Sequence, residues 1–323
     1  MKKTIVILYI GIVLTVSFAG CKKSSSNADS PVTTAIKADT AFKLIAANAF
    51  PAYDSWNSIA MDTSGNKIFF YYKDAAEGFK IDLFDISSGT TSTIYKHFSQ
   101  SGLTKWSTSN GSEGMRLRYF KNTYDGNKLI VPGGATNYFF IEIQVHPDYS
   151  TSFQRLDSLP VSNNGITVMD AYDADLVKTS TNNLISVVTM YNSVYDLYAA
   201  APVYKVSATS HGSSIVGTPT GSEYVFCGTN KTLELYNAGL FIRAISMPFD
   251  AAQLQMDSKK RIYAYNGSSI FRFSSDLLTK EEFPVKGSLE GYLQSALVIR
   301  EYANYVQAYS FSQKDLIGMV LPK

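Results

Sequence analysis

The stretch that most limits what this chain can fold into is 58–97, SIAMDTSGNKIFFYYKDAAEGFKIDLFDISSGTTSTIYKH. Read at a period of two, it resolves into four short runs at 58–62, 67–72, 79–86 and 90–97. Turn signals separate them at 62–66, 74–78 and 87–89, each pairing a Gly with Asp, Asn or Ser. Gly adopts positive φ at no steric cost, and Asp or Asn caps its own backbone, so each signal predicts a reversal between strands. Four strands by themselves leave one face and both edges open. Such a unit needs neighbours of its own kind.

The same layout recurs along the chain in six approximate units. After the first come 115–156, with runs at 115–120, 128–132, 137–143 and 152–156, and 166–206, with runs at 166–170, 184–190 and 202–206. The fourth has runs at 224–227, 232–236 and 240–245, and the fifth at 254–265, 269–273 and 282–285. The sixth, 295–321, ends one strand short, and the run at 42–50 supplies a strand for it. Pairing the chain's first strand with its last unit closes a ring and removes a free edge. Repeats of this length, abundant Tyr and Phe, and no long 3.6-residue period predict an all-β fold: a β-propeller of six four-stranded blades closed by an N-terminal strand, with five or seven blades as alternatives.

Met61-Asp62-Thr63-Ser64-Gly65-Asn66-Lys67-Ile68, Met256-Asp257-Ser258-Lys259-Lys260-Arg261-Ile262 and Tyr124-Asp125-Gly126-Asn127-Lys128-Leu129 resemble the blade turn of the NHL, TolB-like and senescence-marker propeller families. The resemblance implies architecture and brings no catalytic residue with it. The senescence-marker enzymes hold a metal with loop acids and amides, and those positions are not carried over to residues of this chain.

The N-terminus carries an address. Lys2 and Lys3 precede an apolar run at 4–18, too short to span a bilayer and suited to a signal peptide. Phe18-Ala19-Gly20-Cys21 resembles the lipobox of bacterial lipoproteins, with Phe where Leu is usual. The resemblance implies cleavage before Cys21 and lipidation on it. The expected organisation is a signal peptide at 1–20, a lipidated Cys21 and flexible tether at 21–40, and one propeller domain at 41–323. The protein is then exported and held to the cell envelope, at the outer membrane, with its periplasmic or surface face undecided. Leader style and tyrosine-rich, disulfide-free chain together resemble Bacteroidetes-type lipoproteins.

Charge narrows the partners. Without Lys2 and Lys3, the 29 basic residues fall to 27, matching the 27 acidic ones. A balanced chain argues against nucleic acid and against electrostatic membrane binding, leaving the lipid anchor as the membrane link. With Cys21 acylated, Cys227 stands alone in a strand-like run, as a small buried hydrophobe rather than a reactive thiol.

Catalytic motifs are missing. His97, His146 and His211 lie far apart with no metal-ligand spacing, and the chain has no G-x-S-x-G, Walker or G-x-G-x-x-G sequence. No cofactor and no metal is expected. The carboxylates of Asp170-Ala171-Tyr172-Asp173-Ala174-Asp175 lack the Gly and closing Glu of a calcium loop and read as a solvated turn.

Candidate ligand residues therefore come from the loops expected over the central channel. They are Tyr53, Asp54 and Trp56 in 51–57; Lys105, Trp106 and Arg116 in or beside 99–114; Tyr191 and Tyr195 in 191–196; and His211 in 209–212. Loop tryptophans beside polar groups suit a sugar face or an apolar peptide anchor. The preferred expectation is a binding or scaffold module for a glycan, peptide or envelope protein. The alternative is a hydrolase or lyase acting on a sugar or lactone, using loop carboxylates such as Asp54, Glu113, Asp196 and Glu290.

Overall fold

The computed structural model describes residues 36–51, 55–62, 64, 66–74, 78–97, 117–120, 126–133, 139–158, 162–163, 166–167, 171–178, 183–189, 193–196, 201–205, 212–218, 223–228, 231–238, 240–247, 254–286 and 297–323. After β1 (Lys43–Ala46), the chain lays down antiparallel sheets in sequence order. The first comprises β2 (Ser55–Asp62), β3 (Lys67–Asp74), β4 (Gly78–Asp85) and β5 (Thr90–His97). The second comprises β6 (Arg118–Phe120), β7 (Asn127–Gly133), β8 (Phe139–Val145) and β9 (Thr151–Ser158). A small hairpin, β10 (Ser162–Asn163) with β11 (Ile166–Thr167), precedes the third: β12 (Ala171–Lys178), β13 (Asn183–Thr189), β14 (Ser193–Asp196) and β15 (Ala201–Lys205).

The fourth sheet is β16 (Gly212–Gly217), β17 (Glu223–Gly228), β18 (Thr232–Asn237) and β19 (Leu240–Ser246). The fifth is β20 (Leu254–Met256), β21 (Ile262–Tyr265), β22 (Ser269–Phe273) and β23 (Lys280–Pro284). The last runs β24 (Val298–Glu301), β25 (Tyr305–Ser312), β26 (Asp315–Pro322) and then β1, which pairs antiparallel with β26. Among the described residues this makes six four-stranded sheets and one two-stranded hairpin.

The leading strand of each sheet touches the leading strand of the next, in the order β2, β6, β12, β16, β20, β24 and back to β2. The hydrophobic cores lie between neighbouring sheets rather than within one layer. One joins the last sheet to the first, through Ile59, Phe70, Tyr72, Val298, Tyr309 and Phe311. Others join the first to the second, the fourth to the fifth and the fifth to the sixth. An all-β propeller with four-stranded blades is the result. Phe50 seals the closing seam, stacked on Phe70 at 4.3 Å between centroids and set edge-on to Phe84 and Phe311. Such ring pairs add about 0.5–1.5 kcal/mol each beyond the area they bury.

The recurring Met-Asp turn has a common physical basis. Asp62 ends β2; its Oδ1 accepts from Ser64 N at 2.9 Å and Ser64 Oγ at 2.7 Å, tightening the reversal into β3. Its Oδ2 accepts from Tyr119 at 3.2 Å and Tyr149 at 2.8 Å, both of the second sheet. Burial and the Asp62 carboxylate push both phenols above their ordinary range, so they stay protonated and donate. Asp257 repeats the device after β20, accepting from Lys259 N, Arg261 N, Arg261 Nε and the Tyr263 hydroxyl at 2.6–3.0 Å. The motif is thus a turn cap that also clasps a tyrosine. Asp62→Ala is expected to cost about 1–2 kcal/mol, since it strands two half-buried hydroxyls and a turn amide; equilibrium urea unfolding measures it.

Five expectations need correction. Of the solvated turn expected at 170–175, the described residues 171–175 are strand: Ala171–Lys178 is β12, the leading strand of its sheet, and Asp173 is fully buried. Of the run expected to lead that unit, at 166–170, the described residues Ile166–Thr167 form β11 of the small hairpin. Trp56 stands in β2 rather than in a loop, and Tyr195 and Asp196 in β14. The leading strand of the fourth sheet, β16, begins at Gly212, within a segment expected to be loop. In β12 and β16 polar residues interrupt the apolar alternation, because Asp173, Asp175 and Ser214 bond to partners on neighbouring leading strands. The closing strand is also shorter than 42–50, spanning Lys43–Ala46 with a register shift between Leu44 and Ala46.

Candidate functional site

The densest polar cluster among the described residues lies along the leading strands. Ser58 of β2 accepts from Leu117 N at 2.8 Å, just ahead of β6. The next residue, Arg118, extends a buried guanidinium to three further sheets. Its Nε and Nη2 bind the two carboxylate oxygens of Asp173 on β12, at 2.7 and 2.6 Å. The same Nη2 donates to Ile215 O on β16 at 3.1 Å and to Leu254 O on β20 at 3.2 Å. Ser214 donates to Asp173 while accepting from Leu254 N at 2.9 Å, and Ile215 N also donates to Asp173 at 3.2 Å.

Asp173 is fully buried and Arg118 only 8 % exposed, so both charges are out of water. A buried charge is tolerable only when paired and hydrogen-bonded, and a guanidinium fork against a carboxylate is the geometry that achieves it. Burial opposes the Arg118 charge, but Asp173, with Asp175 behind it, holds its pKa above the ordinary value. Asp175 accepts from Gly217 N at 3.0 Å and so ties β12 to β16 a second time. The cluster bridges leading strands of the first five sheets. Its donors and acceptors are engaged with one another, which suits a fixed structural latch and not a general base.

A second buried ion pair, Lys128 to Glu142 at 2.6 Å, joins β7 and β8 inside the second sheet. Among the described residues, no group of three or more His, Cys, Asp or Glu side chains is placed to hold a metal ion. Cys227 is a buried cysteine in the core shared by the fourth and fifth sheets.

The candidate ligand residues sort differently. Tyr53, Asp54, Lys105, Trp106, Arg116, Tyr191 and His211 lie outside the described residues, as do Cys21, Glu113 and Glu290. Trp56 and Tyr195 are placed only by their strands, near the starts of β2 and the end of β14. Sequence reasoning missed Arg118 and Ser214 altogether and read Asp173 as part of a solvated turn. The signal available was an Arg, an Asp and a Ser at the first strand of successive units, visible only once those strands are correctly aligned.

No protein-family model matches the chain, and no curated protein matches it. Among solved structures it is similar to a chain of the "Crystal Structure of Mitotic Checkpoint Complex", with a TM-score of 0.54 and 14% identity over 95% of this chain and 99% of that one. It is also similar to XC5397 from Xanthomonas campestris, described as a gluconolactonase, with a TM-score of 0.53 and 11% identity over 90% of this chain and 99% of that one. At such identities the likeness shows the propeller fold alone.

Proposed function

We propose that this is a six-bladed propeller lipoprotein, anchored through Cys21, that works as a binding or scaffold module for a glycan, a peptide or an envelope protein. The blade count rests on the cyclic contacts of the leading strands and on β1 completing the last sheet. The leader and the 21–40 tether support export and anchoring to the cell envelope, at the outer membrane. One observation carries the binding reading: the axial carboxylate Asp173 is committed to Arg118, Ser214 and the Ile215 amide. An axis occupied in this way leaves recognition to the connections between strands, where Tyr53, Asp54, Lys105, Trp106, Arg116, Tyr191 and His211 fall in the sequence, and to the strand positions Trp56 of β2 and Tyr195 of β14.

Titration against an array of glycans, followed by tryptophan fluorescence, tests this reading. A binding glycan is expected to shift the emission, and Trp106→Ala to weaken binding by about tenfold, the worth of one lost aromatic platform. The likeness to a gluconolactonase supports a second reading, hydrolysis of a sugar lactone by loop carboxylates. Turnover of gluconolactone that disappears in Asp54→Asn or Glu290→Gln would favour it over the binding module.

A further inference from the structure

The axial cluster ties five sheets together and leaves out the sixth. Its hydrogen bonds run from Leu117 N to Ser58 of β2, and from Arg118 of β6 to Asp173 of β12, Ile215 of β16 and Leu254 of β20. Among the described residues, no hydrogen bond joins β24, the leading strand of the sixth sheet, to β20 or β2. Arg300 Nη1 and Glu301 Oε1 of β24 are instead buried atoms without a hydrogen-bond partner, as is Ser310 Oγ of β25, a fully buried residue. A buried polar atom without a partner has given up water and gained nothing in exchange. Each therefore favours an open sheet, where water returns to it.

The polar ties that the sixth sheet does have lie away from its leading strand. Arg272 Nη1 donates to Pro322 O at the end of β26. Lys286 N donates to Thr40 O at 2.7 Å and Thr91 Oγ1 to Ala49 O at 2.6 Å, on either flank of β1. The outer strand is itself slight: β1 has four residues, most of them exposed, and its pairing with β26 shifts register between Leu44 and Ala46. Apolar cores flank the sixth sheet on both sides, as they flank the first and the fifth, so they do not set it apart. Because β1 and β24–β26 come from distant segments of the chain, parting their sheet from the ring asks nothing of the strands in the other five.

We infer that the sixth sheet is a gate in the ring: β1 and β24–β26 open together as one unit while the axial cluster holds the other five sheets in register. Proteins open locally in cooperative units whose free energies lie below that of global unfolding, and such units coincide with supersecondary motifs. Here the motif is a whole sheet. Its opening uncovers two apolar faces at once, Ile59, Phe70 and Tyr72 on the first sheet and Tyr263, Tyr265 and Ile270 on the fifth. The hydrogen bonds of the axial cluster are the same in the closed and the gate-open forms, so weakening them changes global unfolding and leaves the gate alone.

Native-state hydrogen exchange on the purified protein, followed by mass spectrometry at increasing sub-denaturing guanidinium, tests this. Amides of β1 and β24–β26 are expected to share one opening, with a shallower denaturant dependence than β6, β12 and β16 and at least about tenfold less protection. Ser58→Ala, which removes the acceptor of Leu117 N, is expected to speed exchange on β6, β12 and β16 about fivefold and to leave the sixth sheet unchanged. Equal protection in all six sheets overturns the proposal, as does an opening that begins in another sheet. So does a Ser58→Ala variant whose sixth sheet speeds up with the rest, because that sheet then opens only in global unfolding.

Discussion

Arg118→Ala is expected to destabilise the folded domain by about 3–5 kcal/mol, because it leaves the fully buried Asp173 carboxylate without its counter-charge. Asp173→Ala should cost a similar amount for the converse reason. The attraction within the pair largely offsets the desolvation of both members, so the two losses are not independent. The double variant Arg118→Met/Asp173→Leu, of similar volume and uncharged, is expected to recover most of either loss. Equilibrium unfolding in guanidinium measures all three. A loss below about 1 kcal/mol for Arg118→Ala would show that water reaches the axis and screens the pair. The carbonyls of Ile215 and Leu254 add a second consequence. Losing their donor loosens β16 and β20 together, so hydrogen exchange should rise on the leading strands of three sheets at once and not on the second sheet alone.

How much of this was legible in the sequence depends on what each strand packs against. Lys67–Asp74 and Gly78–Asp85 bury Ile68, Phe69, Phe70, Ile81 and Phe84 between sheets, and their short apolar runs bounded by turn residues mark them plainly. The Met-Asp turns were visible because Asp62 and Asp257 cap a backbone next to them in the chain. The leading strands β12 and β16 were not, because their residues answer to distant partners. Asp173 reads as a solvated acid until Arg118, 55 residues away, is brought beside it. The same limit applies to the candidate ligand loops: a Trp or Tyr between strands carries no periodicity, so composition names the residue without fixing what it meets. Closure was legible for a different reason. A last unit one strand short and an unassigned apolar run at the other end are both counts, and counting needs no geometry.

That closure carries the second large effect. A chain beginning at Asn48 lacks β1, and β26 then exposes its full edge where Lys43, Leu44 and Ala46 had paired with Gly318, Ile317 and Leu316. It also loses the exchange in which Asp39 N donates to Val320 O and Val320 N donates to Asp39 Oδ2. The apolar contacts of Ala38 and Phe42 with the core of the fifth and sixth sheets go as well. Backbone pairing and side-chain burial are removed together, so the truncated chain is expected to melt at least about 10 °C lower, the equivalent of several kcal/mol, and to aggregate through its new edge. A synthetic peptide covering residues 36–50 should restore the melting temperature in proportion to its concentration, as a ligand that binds only the folded state must. Gly318 offers a gentler probe of the same seam: a Cβ there would meet Ile45 Cγ1 at 2.9 Å and Gln307 Nε2 at 2.5 Å. Both obstacles are side-chain atoms with room to turn, so Gly318→Ala should cost only about 1–2 kcal/mol, and Gly318→Val more. A truncated chain that melts with the parent would mean that β26 closes its sheet without β1, and the ring would then be held by the axial latch and the inter-sheet cores alone.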